Sequence, residues 1–180
     1  MREIEIKAKL HESIEDFSAK LADKDIVLGE KLVQHDVVYG MPGAVENRLD
    51  TNWLRIRTEN ESIIYFTLKK SVVNHLDSIE HEVVVDNANE LQSIIRELGY
   101  ELHSDLTKTR RKAKVGELEI CVDDVESLGT FVEVEKLCPL DVDNKNVIDE
   151  LWELLSSFGI AREDEVHEGY DVLERQQRGL

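Results

Sequence analysis

In Arg2-Glu3-Ile4-Glu5-Ile6-Lys7-Ala8-Lys9-Leu10, near the start of the chain, charged and apolar residues alternate strictly from Glu3 onward. Strand side chains point to opposite faces with period two, so Glu3, Glu5, Lys7 and Lys9 share one face and Ile4, Ile6, Ala8 and Leu10 the other. One such strand could be the solvated edge of any sheet, but the pattern recurs. Arg55 and Arg57 alternate with Leu54 and Ile56, Glu80 and Glu82 with Ile79, His81 and Val83, and Glu133 and Glu135 with Val132 and Val134. Lys108, Arg110 and Lys112 form a further row, and Lys69 shares a face with Tyr65 and Thr67.

Working outward from these rows, alternation or β-branched enrichment predicts strands over residues 2–10, 31–39, 53–59, 62–70, 78–86, 106–114, 116–123 and 130–136. Apolar stripes of helical period predict helices over 13–24, 87–98 and 145–158, with a last one over about 168–178. Gly40, Pro42, Gly43 and Asn47 mark 40–52 as a loop. No repeat or linker divides the 180 residues, which predicts a single domain over 1–180.

Two architectures accommodate charged faces on nearly every strand. In an open sheet those faces lie in water; in a closed barrel they line the interior while the apolar faces meet covering helices. A merely solvated surface mixes signs, whereas these rows are mostly uniform, acidic on some strands and basic on others. The expectation is therefore an α+β fold: a closed eight-stranded antiparallel β-barrel with a charged interior and helices packed outside.

The two signs divide the chemistry. Arg donates paired hydrogen bonds to phosphate oxygens and Lys adds compact charge, so the basic rows suit a polyanion such as a triphosphate, which carries about four charges. Magnesium and manganese prefer carboxylate and phosphate oxygens, which Glu3, Glu5, Asp123, Glu133 and Glu135 can supply.

Composition narrows the partners. A formal net charge of -17 opposes binding to nucleic acid or to anionic membranes, so neither is expected. The start lacks the basic-then-apolar layout of a secretory signal, and no stretch is long and apolar enough to span a membrane. Cys121 and Cys138 are too few for a disulfide framework, which predicts a reducing, cytoplasmic setting.

The opening Glu3-Ile4-Glu5-Ile6-Lys7 matches the ExExK signature of the CYTH superfamily, the triphosphate tunnel metalloenzymes. Leu54-Arg55-Ile56-Arg57 resembles the family's L-R-x-R strand, Lys69 its tunnel lysine, Glu80 and Glu82 its later E-x-E strand, and Lys108-Thr109-Arg110 its K-x-R element. Asp123, followed by Leu128-Gly129-Thr130-Phe131-Val132-Glu133-Val134-Glu135, is similar to its D-x-V-x-x-L-G-x-F-x-E-x-E segment. The resemblance implies a tunnel open at both ends. It implies phosphate binding by Lys7, Arg55, Arg57, Lys69, Lys108 and Arg110, with Lys9 one repeat beyond the signature, and metal binding by Glu5, Asp123, Glu133 and Glu135. Glu3, Glu80 and Glu82 would assist the metal or fix neighbouring bases, completing a catalytic set with Glu5, Lys7, Arg55, Arg57 and Lys69.

Gln34-His35-Asp36-Val37-Val38-Tyr39 and the chain length look like the class IV adenylate cyclase branch, whose members form dimers. That branch converts ATP to cyclic AMP and pyrophosphate with Mg2+ or Mn2+. Triphosphatases acting on tripolyphosphate, thiamine triphosphate or a nucleoside triphosphate use nearly the same residues, and a non-catalytic polyphosphate or nucleotide binder would need the bases. No purine pocket is legible; Trp53, Tyr65, Phe66 and Phe131 are read as core before base contacts. His11, His35, His75, His81, His103 and His167 lack zinc-site spacing, and Cys121 is read as a small inward filler. Gly169-Tyr170-Asp171-Val172-Leu173 resembles the family's S-Y-x-x-L-L element, with Gly in place of Ser.

Overall fold

A computed structural model describes residues 1–44, 51–72 and 77–179. Eight strands form a closed barrel: β1 (Arg2–Lys9), β2 (Leu32–Gly40), β3 (Asn52–Glu59), β4 (Ile63–Ser71), β5 (Asp77–Val85), β6 (Glu101–Val115), β7 (Leu118–Val125) and β8 (Gly129–Cys138). Around the barrel the order is β1-β5-β4-β3-β2-β6-β7-β8, with every pairing antiparallel. Four helices accompany it: α1 (Ile14–Ala22), α2 (Ala88–Glu97), α3 (Asn144–Ser156) and α4 (Tyr170–Arg178). Each of the first three starts where the sequence offers a cap: Ser13, Asn87 and Asp143 accept hydrogen bonds from the amides of Asp16, Glu90 and Lys145. Such caps stabilise by roughly 1 kcal/mol each. Among the described residues no helix is long and apolar enough to cross a membrane.

The alternation of β1 works as expected, with its apolar face turned outward. Ile4, Ile6 and Ala8 pack with Ile120, Val122, Val132 and Val134 under Phe17 and Leu21 of α1 and Leu151, Trp152 and Leu155 of α3. On the opposite wall Val37, Tyr39, Leu54 and Ile56 meet Ile95 of α2. The principal hydrophobic layers therefore lie between barrel and helices, which leaves the bore to the charged rows.

Three departures bear on the site. β6 begins at Glu101, five residues before the predicted 106, because it follows β2 to its end through a register shift opposite Val38 and Tyr39. Asp105, Ser104 and the bulge hide that extension from a search for alternation. The seam between β1 and β5 holds only the pairs Glu3↔Ser78 and Ile4↔Asp77, whereas β1 pairs with β8 along its whole length. Asp77, bonded by Asn144 and 3.5 Å from Arg2, pins this short seam. Past Ile4, the free edge of β1 is taken by the C-terminal segment: Ala8 bridges Glu165 and the Val166 amide donates to Lys7 O at 2.8 Å.

The third departure is at the C-terminus, where α4 packs along β6 and its first residue reaches the cavity lining. Tyr170 joins Leu106, Val125 and Phe131 in a buried cluster there, its ring centroid 5.1 Å from that of Phe131. Of the expected loop 40–52, Met41–Ala44 form a turn, while residues 45–50, including Asn47, lie outside the described residues, as does His75.

Candidate active site

The bore encloses a cavity of about 470 Å³. Seven basic side chains line it (Lys7, Arg55, Arg57, Lys69, Lys108, Arg110 and Lys112) against eight acidic ones, among them Glu3, Glu5, Asp36, Glu80, Glu82, Glu133 and Glu135. Asp123 lies fully buried behind Arg110. The interior is thus close to charge balance, and a triphosphate cannot be neutralised by the side chains alone. Residues from every predicted row except Lys9 reach this space or its immediate wall. The Lys9 ammonium instead donates to Leu128 O at 2.5 Å and sits 4.1 Å from the Phe131 ring centroid. A Cβ at Gly129, whose φ is +89°, would lie 3.0 Å from that ammonium, so glycine serves both the turn and the close approach.

One sector, on β1, β6, β7 and β8, is densely paired. Arg110 donates from Nε to Asp123 Oδ1 at 2.7 Å and from Nη2 to Asp123 Oδ2 at 2.5 Å, and Nη2 also bonds Glu133. Lys108 reaches Asp123 at 3.1 Å, and Lys7 lies 3.3 Å from Glu133. Burial alone would raise both carboxyls, but Lys108 and Arg110 hold Asp123 below the usual range, and Arg110 with Lys7 and Lys108 holds Glu133 well below it. On the neighbouring strands β2 and β3, Asp36 clamps Arg57 through two 2.7 Å bonds to Nε and Nη2. Asp36, Asp123 and Glu133 thereby fix the direction of the cations, and much of each guanidinium fork is already occupied.

The second sector is frustrated. Carboxylate oxygens of Glu3, Glu5 and Glu135 lie within 4.8 Å of one another. Burial, then Glu80 and Glu5, push Glu3 up to about 7; burial, then Glu3 and Glu5, push Glu135 up to about 8. Close, partly buried carboxylates with raised pKa values need either protons or a cation, and an all-oxygen donor set fits a hard divalent ion. Beside it, Lys69 lies 3.1 Å and Arg55 3.5 Å from Glu80. Arg55 also donates to Thr67 at 3.3 Å, and Thr67 in turn donates to Glu82 at 2.8 Å.

Glu135 also belongs to a group with Glu119 and Cys121. The buried Cys121 thiol is pushed up by burial and stays neutral, and Lys112 donates to Glu119 at 2.6 Å, so Cys121 fills space as expected.

Several lining residues were not singled out from sequence. Asp36 had a legible signal, the inward parity of Gln34, Asp36 and Val38. Trp53 packs against His103 with ring centroids 4.4 Å apart and planes tilted by 52°, and a Cβ on Gly40 would fall 2.5 Å from the indole, so this ring forms part of the wall. Phe66 faces α2, and Phe131 belongs to the buried cluster at the α4 end. Tyr170 sits between Lys7 and Lys108, whose ammonium groups are 4.3 and 4.8 Å from its ring centroid. Gly169 provides no side-chain cap for α4, in keeping with its replacement of Ser in the resembled element.

Comparisons with known proteins agree with this geometry. A Methanocaldococcus jannaschii protein named "Putative adenylate cyclase" is 28% identical over 178 residues, covering 94% of this chain and 97% of its own. Among solved structures, the PH1012 protein of Pyrococcus horikoshii superposes with a TM-score of 0.82 at 21% identity, covering 95% of this chain and 98% of its own. A Hippeastrum protein described by a dominant triphosphatase activity gives 0.61 at 15% identity, covering 99% and 95%. The CYTH domain model matches residues 1–170, nearly the whole length, and the chain belongs to the CYTH domain family.

Proposed function

We propose that this protein is a metal-dependent enzyme acting on a triphosphate, and that its reaction is the class IV type of adenylate cyclase, ATP to cyclic AMP and pyrophosphate. The observation that carries the reading is the split of the bore into a fixed cationic sector and a sparsely compensated Glu3–Glu5–Glu135 cluster beside it. Lys7, Arg55, Arg57, Lys69, Lys108 and Arg110 hold the phosphates, with Asp36, Asp123 and Glu133 orienting the arginines. Glu3, Glu5 and Glu135 hold Mg2+ or Mn2+, and Asp123 and Glu133 enter that shell only by releasing Arg110. The bound ion supplies Lewis acidity at phosphate oxygen and lowers the pKa of a coordinated hydroxyl or water.

In the cyclase reaction the ribose 3′-hydroxyl loses its proton to solvent as its oxygen forms a bond to the α-phosphorus, the bond to the bridging oxygen breaks, and pyrophosphate leaves. The cationic rows offset the charge that develops on the leaving group, and the near-balanced bore makes that offset depend on the metal. A volume of about 470 Å³ is in the range that accepts a nucleotide-sized ligand, and the 28% identical relative favours the cyclase assignment. We place the enzyme in the cytoplasm, a reading supported by two free, buried cysteines, and as a homodimer by resemblance to the cyclase branch.

A second reading, hydrolysis of the triphosphate by water, is favoured by one observation: the indole of Trp53, packed against Gly40 and His103, is only 7% exposed and leaves little surface for a purine. The test is ion-exchange product analysis after incubation with ATP or with tripolyphosphate in Mg2+ or Mn2+. Cyclic AMP and pyrophosphate support the cyclase; orthophosphate without cyclic AMP establishes a triphosphatase; binding without product establishes a sensor.

A further inference from the structure

We infer that Thr67 is a positioning residue: its hydroxyl stands between Arg55 and Glu82 and keeps the Arg55 guanidinium open to a phosphate oxygen instead of closed on a carboxylate. This rests on the triphosphate site proposed above and adds to it a fully buried residue that does not itself line the cavity.

The three arginines that line the bore differ in what the strand register sets beside them. Arg57 has Asp36 as its partner on the neighbouring strand and Arg110 has Asp123, so each meets a carboxylate in register and takes it through Nε and Nη2. Arg55 meets Val38 on one side and Thr67 on the other. Its nearest acids lie one strand further on, because Thr67 is in turn the register partner of Glu82 on β5. The row from Arg55 through Thr67 to Glu82 thus crosses β3, β4 and β5 with the hydroxyl in the middle.

Distances follow the register. Arg55 Nη2 donates to Thr67 Oγ1 at 3.3 Å and stays 3.5 Å from Glu80 and 3.7 Å from Glu82, against 2.7 Å for both bonds of Arg57 to Asp36. Thr67 Oγ1 donates at 2.8 Å to Glu82 Oε2, the same oxygen that lies 3.7 Å from Nη2. Glu80 is held elsewhere, by Lys69 at 3.1 Å and Ser78 at 3.2 Å. Arg55 Nε is buried and has no hydrogen-bond partner among the described residues, whereas Nε of Arg57 and Nε of Arg110 each hold an aspartate. A buried donor without an acceptor is unfavourable, and a phosphate oxygen entering the cavity relieves it with a charge-assisted bond. Loss of the hydroxyl would leave Glu82 without its donor. Its side chain is 43% exposed and can turn, so the carboxylate would close on Arg55 as a fork pair and compete with the phosphate.

The test is calorimetric titration of the full-length protein with tripolyphosphate in Mn2+, run as a cycle of Thr67→Val, Glu82→Gln and the double variant. Thr67→Val should weaken binding by on the order of tenfold, while Thr67→Ser, which keeps the hydroxyl, should stay within about twofold of wild type. In the Glu82→Gln background, where the competing charge is gone, Thr67→Val should change affinity by no more than about twofold. An equal loss in both backgrounds would assign Thr67 to packing and overturn the inference, as would an unchanged affinity for Thr67→Val alone; either result leaves the triphosphate site intact. Failure of the wild-type protein to bind tripolyphosphate would overturn both. If Thr67→Val does not fold, Thr67→Ala removes the same hydroxyl and takes its place in the cycle.

Discussion

The two sectors of the bore use the same residue types to opposite ends. Around Arg110, each carboxylate has a cation within 3.3 Å, and burial is offset by pairing. Around Glu135, three carboxylates face each other within 4.8 Å, with Lys7 3.5 Å from Glu5 the nearest ion pair to any of them. Burying a charge is tolerable when it is paired and costly when it is not, so we propose that the first sector holds the fold together and that the second takes the divalent cation. On this proposal structural support and ligand binding are separated within one ring of strands.

The hardest blow to this contrast is Arg110→Ala. It leaves Asp123 and Glu133 buried without their main partner and should destabilise the protein by about 3–5 kcal/mol in urea unfolding. Glu135→Gln should do the reverse: stability of the metal-free protein holds or rises, while metal-dependent turnover falls by on the order of 10²-fold or more, since the ion contributes several kcal/mol. Equal destabilisation by both substitutions would erase the distinction between the sectors.

Acidity separates the sectors next. Glu3 and Glu135 rise from an ordinary 4.5 to about 7 and about 8, so the folded protein holds their protons more tightly than the unfolded chain. Their contribution is complete below about pH 4.5 and is lost as pH rises through 7 to 8. Asp123 and Glu133 are depressed, so theirs is present above the ordinary carboxylate range and lost as pH falls below it. Thermal melts of metal-free protein should peak in mildly acidic buffer and decline toward pH 8.5, and saturating Mg2+ should raise Tm more at pH 8.5 than at pH 6. The smallest effect belongs to Lys9→Ala. It should cost about 1 kcal/mol through its bond to Leu128 O and its contact with Phe131, and leave tripolyphosphate affinity unchanged in the same titration.

Much of this was legible because side-chain direction in a strand is fixed by parity. The alternation from Glu3 to Lys9, Leu54-Arg55-Ile56-Arg57 and Val132-Glu133-Val134-Glu135 is enough to put their charges on one shared face. Parity says nothing of partners, however. Asp123, Glu133 and Glu135 look alike in sequence, and only the cross-strand register of Arg110 with Asp123, and of Lys7 with Glu133, divides clamp from cluster. The place of Tyr170 was hidden for a related reason: it is apolar enough for any helix face, and its contacts with Phe131 and Lys7 are 39 and 163 residues distant in the chain. The bulge at His103, between Leu102 and Ser104, by breaking alternation, concealed the length of β6.

The central claim, that the bore accepts a triphosphate only together with a divalent ion, is tested most directly by titrating tripolyphosphate into the protein in excess chelator and again in saturating Mn2+. Binding confined to the Mn2+ sample, and abolished there by Glu135→Gln, is the predicted result. Equal affinity in chelator would show that the basic rows suffice and would contradict it.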